Sequence, residues 1–247
     1  MATIAVYSLK GGVGKTSLAV NLAWCAATQS SRRTLLWDLD AQAAATFLLS
    51  KDYAGKDSAQ AAFAKDLPPA KLVRPTSVER LDLIGADTSL RSLDRFFFAL
   101  DKKKRLARLI SDLDKRYDRI ILDCPPGLTE TSDQIMRAAD IVVVPVIPSP
   151  LSRRALDEVI EHLDCEHGGH ASILPVFSML DRRRLVHRDA LSADAKWPVI
   201  PMASVVEQMS THRAPLGAFA PRSPAALAIS TLWQGIERRL AKTARTK

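Results

Sequence analysis

Residues 4–17 read IAVYSLKGGVGKTS, and the order of residue types in that stretch decides the fold. Ile4–Ser8 is a short apolar run of the kind that forms a buried strand, and Thr16–Thr28 carries the spacing of a helix. The glycines therefore lie between a strand and a helix. Gly11, Gly12 and Gly14 let the backbone turn tightly enough for successive N–H groups, that of Val13 included, to converge on one point. The helix adds the positive end of its dipole. Closed by Lys15, Thr16 and Ser17, this turn is built to grip phosphate oxygens.

Outward from the loop, short apolar runs recur at Thr34–Asp38, Leu81–Gly85, Arg119–Cys124, Ile141–Val146, Ile173–Ser178 and Val199–Pro201. Runs that are apolar on both faces read as parallel strands covered on both sides. Helical patterns separate them, such as Lys102–Arg116 with Leu106, Leu109, Ile110 and Leu113 on one face. The alternation predicts one α/β domain over residues 1–240, a mostly parallel twisted sheet with helices on both faces. Residues 51–80 read as a surface helix and loop outside the nucleotide core. The last helical pattern, Ala225–Leu240, runs into a polar, basic tail at 241–247.

The 247 residues are 47% hydrophobic and 25% charged, enough for a large core. Thirty-five Lys and Arg against 27 Asp and Glu give a formal charge of +8, which favours polyanionic partners. Cys25, Cys124 and Cys165 are scattered and form no C-x-x-C pair, so neither a disulfide framework nor a zinc site is expected, and a reducing cytosol fits. Met1 leads straight into a strand without a signal sequence. The longest apolar stretch, Ile141–Leu151, is broken by prolines and is too short to span a bilayer.

The loop chemistry calls for ATP and Mg²⁺. Lys15 supplies charge to the β- and γ-phosphates, Thr16 a hydroxyl to the metal, and Ser17 a hydroxyl near the α-phosphate. A metal-bound triphosphate also needs carboxylates at the C-terminal ends of neighbouring strands. Asp123 ends Arg119-Ile-Ile-Leu-Asp and precedes Cys-Pro-Pro-Gly, whose Gly127 approaches the γ-phosphate. Asp38 and Asp40 follow the Thr34 strand. Asp38 is a candidate metal residue with Thr16 and Asp123, and one of the pair orients the attacking water.

Lys10 ahead of the glycines gives K-G-G-V-G-K-T, and this second lysine resembles the deviant Walker A motif of the ParA/MinD family of dimerising ATPases. The resemblance implies that Lys10 reaches across a nucleotide sandwich dimer to the partner's phosphates. LWDLDAQ at 36–42 resembles the family's DxDPQ motif, with Ala41 for proline, and implies that Asp40 activates water. The GN that usually follows is Ala43-Ala44 here. IVVVPVIPS resembles the family's strand after the switch region. VIPM and APRSP resemble its VIPR and DPRS segments, with Met202 for the arginine.

For a small partition protein of that family the resemblance implies non-specific DNA binding in the ATP state, a nucleoid location in the cytoplasm, and a ParB-like or other cargo adaptor that triggers hydrolysis. Arg182, Arg183, Arg184, Arg188, Arg213 and Arg222 are the candidate phosphate contacts, with Arg238, Arg239, Lys242, Arg245 and Lys247 at the end of the chain. Lys102–Lys104, Arg105 and Arg108 are expected simply to face water. The competing reading is a MinD-like membrane ATPase, because the last helix has an apolar stripe with basic flanks. A metabolic reading, as an ATP-dependent amide synthase or a carboxylase related to dethiobiotin synthetase, needs its own acid, base or nucleophile, and none stands out. An iron-protein branch lacks its cysteine pair and a tyrosine-kinase branch its tyrosine-rich tail.

Overall fold

The computed structural model describes residues 1–50, 59–63, 67–100, 104–167 and 171–246. Its frame is one eight-stranded sheet in the order β3-β4-β2-β5-β1-β6-β7-β8. The strands are β1 (Ala2–Val6), β2 (Thr34–Asp38), β3 (Arg74–Pro75), β4 (Leu81–Ile84), β5 (Arg119–Asp123), β6 (Ile141–Val146), β7 (Ser172–Leu180) and β8 (Val199–Pro201). Every pairing is parallel except β3 with β4. The seven strands expected from sequence are present. The additional β3 is two exposed residues long and lies on the edge, where its proline leaves no ladder bond unmade.

Alternate residues of the central strands divide two cores. Ile4, Val6, Leu36, Ile121 and Val143 face one side, against the helices Lys15–Thr28 and Pro224–Thr246. Ala5, Tyr7, Leu35, Trp37, Ile120, Leu122 and Val144 face the other, against Leu93–Leu100, Arg105–Ser111, Glu130–Ala138 and Pro150–His167. Burial on both faces is what a parallel sheet requires, and it explains why these strands read as continuous apolar runs. β5 sits between β1 and β2 with Val6 beside Asp123 and Asp123 beside Asp38, so three strand ends are level at one edge.

Four expectations are corrected. The 51–80 segment is not all peripheral: Ala59, Ala62 and Phe63 are buried, and the Phe63 ring lies 5.7 Å from Trp37 and 5.4 Å from Phe97. Residues 51–58 and 64–66 lie outside the described residues. The helix expected over Lys102–Arg116 is shorter, Arg105–Ser111, and residues 101–103 are outside the described set. Arg105 is not simply solvated, because its guanidinium donates to the Phe63 and Ala62 carbonyls. Lastly, the 241–247 segment continues the final helix to Thr246 instead of leaving it as a tail.

Candidate active site

The phosphate loop closes off β1 and opens the Lys15–Thr28 helix. Gly12 (φ +71°) and Gly14 (φ +86°) take left-handed conformations that only glycine adopts without strain. Gly14 is also where β7 presses closest, since a Cβ there would stand 3.3 Å from Ser178 Oγ. The Ser178 hydroxyl, buried, donates to the Val13 carbonyl at 2.8 Å. That bond pins the Val13 carbonyl to β7. β7 reaches the loop through a bulge: between Phe177 and Leu180 it carries one more residue than β8 opposite, and Met179 there has φ +54°. The sequence gives no sign of Ser178, which reads only as one more residue of a strand.

Lys15 is buried, and its Nζ donates to the Lys10 carbonyl at 3.2 Å, so the loop is closed by its own lysine. Burial lowers its pKa while Asp123 and Asp40 pull it the other way. Lys10 extends to the opposite wall, where its Nζ donates to Ser152 Oγ at 3.5 Å, in the first turn of Pro150–His167. The Tyr7 hydroxyl donates to the Gly127 carbonyl at 2.8 Å and ties the loop after β5, where Gly127 has φ +94°, to the end of β1.

The three aspartates differ in their partners. Asp38 is buried, and its oxygens accept from Thr46 N (2.9 Å), Thr46 Oγ1 (2.7 Å) and Asp40 N (3.2 Å). It organises the turn that carries Asp40, and burial pushes its pKa up to about 6. Asp40 is half-buried and caps its own turn by accepting from Gln42 N at 3.0 Å. Asp123 is fully buried, and neither oxygen has a hydrogen-bond partner. Its pKa rises well above the usual carboxylate range through burial and the neighbouring Asp38, and Thr16 opposes this from nearby without closing a well-formed bond. A buried orphan carboxylate is costly unless something positive completes it. With Thr16 beside it, this donor set fits a hard cation of the Mg²⁺ type. Among the described residues no cluster of three or more His, Cys, Asp or Glu is placed to hold a metal ion by itself.

The arginines expected on a basic face separate into two groups. Arg182, Arg184, Arg188 and Arg222 are exposed, and among the described residues none of them forms an ion pair. Arg183 is exposed but committed, closing a two-pronged pair with Asp181 at 2.9 and 3.0 Å. Arg213 is spent on structure: its guanidinium donates to the Phe47 and Ser50 carbonyls and lies 4.6 Å from the centre of the Phe47 ring. The turn carrying Arg182–Arg184 is held by His187, a buried histidine whose Nδ1 accepts from Asp181 N at 3.0 Å. Arg182, Arg183, Met202 and Pro224 share a groove of about 490 Å³, so the 181–184 turn and the 221–224 turn meet on one surface. Arg238, Arg239 and Lys242 are exposed on the last helix, while the side chain of Arg245 and all of Lys247 lie outside the described set. Cys25 and Cys124 are free, buried and, by burial, of raised pKa, so neither is a nucleophile in waiting.

The family model described as an AAA domain matches residues 1–167. The sporulation initiation inhibitor protein Soj of Bacillus subtilis is 30% identical over 238 residues, 89% of this chain and 92% of that one. Apo McdA of Cyanothece superposes over 97% of this chain and 99% of its own with a TM-score of 0.83 at 22% identity, which speaks to the fold. Cobyrinic acid a,c-diamide synthase of Mycobacterium smegmatis, solved with an ATP analogue and magnesium, covers 97% of this chain and 95% of its own at 25% identity and TM-score 0.80. With the second lysine in its phosphate loop and a match to Soj along most of its length, the chain belongs to the ParA/MinD family of ATPases, the partition and positioning ATPases.

Proposed function

We propose that this ATPase binds Mg·ATP, pairs with a second copy in that state, coats DNA without sequence preference, and is reset when a cargo adaptor stimulates hydrolysis. The observation that carries the nucleotide half is Asp123, a buried carboxylate without a partner, level with the phosphate loop and beside Thr16. Thr16 and Asp123 would hold Mg²⁺, which supplies charge neutralisation across the β- and γ-phosphates. Asp38 is less suited to the metal, because its oxygens already serve Thr46 and Asp40. The loop N–H groups and Lys15 orient the phosphates, with Lys15 exchanging the Lys10 carbonyl for phosphate oxygen. Asp40, on the turn that Asp38 braces, orients the attacking water. Lys10 leaves Ser152 to reach the partner's phosphates and stabilises the charge developing there. An apolar pocket of about 100 Å³ by Ser17, Met179, Pro201, Met202 and Val206 receives the base.

DNA is favoured over a membrane by the last helix. Its apolar stripe is spent on the core, with Ile229, Leu232, Trp233 and Ile236 all buried, and Glu237 is locked to Arg119 at 2.7 and 2.9 Å. Among the described residues no helix is long and apolar enough to cross a membrane. The exposed arginines 182, 184, 188 and 222 supply phosphate contacts. The deciding experiment is retention on random-sequence duplex DNA and, in parallel, on anionic liposomes, with ATP or ADP across a salt series. Salt-sensitive DNA binding with ATP is expected. Liposome binding alone would favour the membrane reading, and neither would favour a metabolic enzyme. Asp40→Ala should bind ATP and dimerise but not turn over; loss of all three together would remove Asp40 from the water-orienting role.

A further inference from the structure

The loop that follows β5, Cys124-Pro-Pro-Gly-Leu128, is tied at both ends and in its middle. Its near end is the fully buried pair Asp123 and Cys124. At its far end the Glu130–Ala138 helix opens on a capping box, in which Ser132 Oγ accepts from Thr129 N at 2.8 Å. Asp94 adds a second anchor there by accepting from Thr131 N (3.0 Å) and Thr131 Oγ1 (2.5 Å). In the middle, the Tyr7 hydroxyl donates to the Gly127 carbonyl at 2.8 Å. The end ties are what a strand end and a helix start need in any fold. The middle tie is different, because Tyr7 lies 120 residues earlier in the chain, at the end of β1 where the phosphate loop begins.

These ties decide which donors the loop can offer an anion. Pro125 and Pro126 have no N–H, and the start of the helix is already supplied with acceptors by Ser132 and Asp94. The N–H groups of Gly127 and Leu128 remain, and among the described residues neither has a hydrogen-bond partner. The Leu128 N–H shares a planar trans peptide with the Gly127 carbonyl and points the opposite way. Tyr7 is wholly buried while Leu128 is 41% exposed, so a carbonyl held on Tyr7 leaves that N–H facing away from the core. Gly127 at φ +94° takes a conformation that other residues adopt only with strain, which suits a turn built around one peptide orientation. Burial raises the Tyr7 pKa, so the phenol stays a protonated donor. Its ring packs in the same core as Leu122 and Ile135.

We propose that Tyr7 is a positioning residue for the terminal phosphate: by holding the Gly127 carbonyl it presents the Gly127 and Leu128 N–H groups to the γ-phosphate and raises the affinity for ATP relative to ADP. It rests on the Mg·ATP reading above and adds to it a residue that never touches the nucleotide. ADP lacks the group these donors meet, so the Tyr7 bond does not register in its binding. Donors fixed in advance cost less ordering on binding than a loop that must find its orientation. The bond also joins the loop after β5 to the strand that carries the phosphate loop, so the two phosphate-facing segments are held as one unit.

The test is calorimetric titration of the full chain with Mg·ADP and with the magnesium complex of a non-hydrolysable ATP analogue bridged by an imide between the β- and γ-phosphates. Tyr7→Phe removes one oxygen and keeps the ring in its core. Its affinity for the analogue should fall roughly tenfold while that for ADP stays within about twofold. A merely structural role would lower the melting temperature and weaken both nucleotides together. Gly127→Ala strains the same turn directly at φ +94° and should shift the same ratio. Equal loss of both nucleotides, an unchanged ratio in either variant, tighter binding of the analogue by Tyr7→Phe, or a Tyr7→Phe chain that does not fold would overturn the assignment. If Gly127→Ala moves the ratio and Tyr7→Phe does not, the loop meets the phosphate without Tyr7 and this inference alone falls. Wild type that binds neither nucleotide would remove the Mg·ATP reading itself.

Discussion

Asp123→Asn should stabilise the chain without magnesium while it destroys the site. Both Asp123 oxygens are buried without a partner, next to Asp38, whose own pKa is pushed up to about 6. Burying this carboxyl without a partner, holding a proton that the unfolded chain has released, costs on the order of 3 kcal/mol. A neutral amide in the same place still lacks partners and gives back ~1–2 kcal/mol. The net gain, about 1–2 kcal/mol, corresponds to a melting temperature higher by roughly 2–8 °C for a chain of this size. The assay is thermal unfolding in EDTA and again in Mg·ATP. Wild type should gain from Mg·ATP and the variant should not, so their order reverses. The pH dependence has a definite sign. Asp38 and Asp123 are raised in the folded state, so they hold protons that the unfolded chain has released, and their contribution is full below about pH 4 and lost as pH rises through about 6 for Asp38 and higher for Asp123. Wild type in EDTA should therefore become more stable between pH 7 and 5, and Asp123→Asn should flatten that slope. Asp118 and Asp181, held down to about 2 by Arg33 and Arg183, act with the opposite sign only at lower pH. A variant that melts below wild type in EDTA, or keeps the full slope, would refute the orphan-carboxylate argument.

Ser178→Ala leaves the Val13 carbonyl without its donor and should weaken ATP binding by about 5–30-fold, the equivalent of ~1–2 kcal/mol, while Ser178→Thr keeps near wild-type affinity in nucleotide titration. Gly217→Ala drives a methyl group into the Trp24 ring and should cost about 1–3 kcal/mol in denaturant unfolding. Ala43→Gly relieves a left-handed alanine (φ +54°) just ahead of the Ala44–Leu49 helix. A gain of about 0.5–1 kcal/mol is expected in the same assay, because the left-handed penalty for alanine exceeds the extra chain entropy glycine must lose.

The strands and the phosphate loop were legible because each carries a signal along the chain itself. A strand covered on both faces is apolar at every position, as Ile141–Val146 is, and a turn at positive φ demands glycine, as at Gly12 and Gly14. What stayed hidden depends on partners distant in sequence. Phe63 stands apart from any periodic pattern, and only the meeting with Trp37 and Phe97 makes it core. Arg213 and Arg222 look alike in sequence; one is consumed by two carbonyls and a ring, the other is exposed. Ser178 matters through Val13, 165 residues away.

The last helix shows most plainly why pattern alone could not choose between a nucleoid and a membrane. Ile229, Leu232, Trp233, Ile236 and Leu240 make a stripe, and a stripe with basic flanks satisfies a lipid interface as well as a sheet. The polar residues around the stripe settle where it belongs. Trp233 Nε1 donates to Ser30 Oγ at 2.8 Å, and Glu237 receives both prongs of Arg119, a residue that opens β5. Release of the helix to a bilayer would strip Arg119, only 12% exposed, of its counter-charge and open the apolar face behind Leu36 and Ile121. A helix held by both its stripe and its polar anchors is a wall of the domain, and Arg238 and Arg239 on its outer side are then charges presented by a fixed surface.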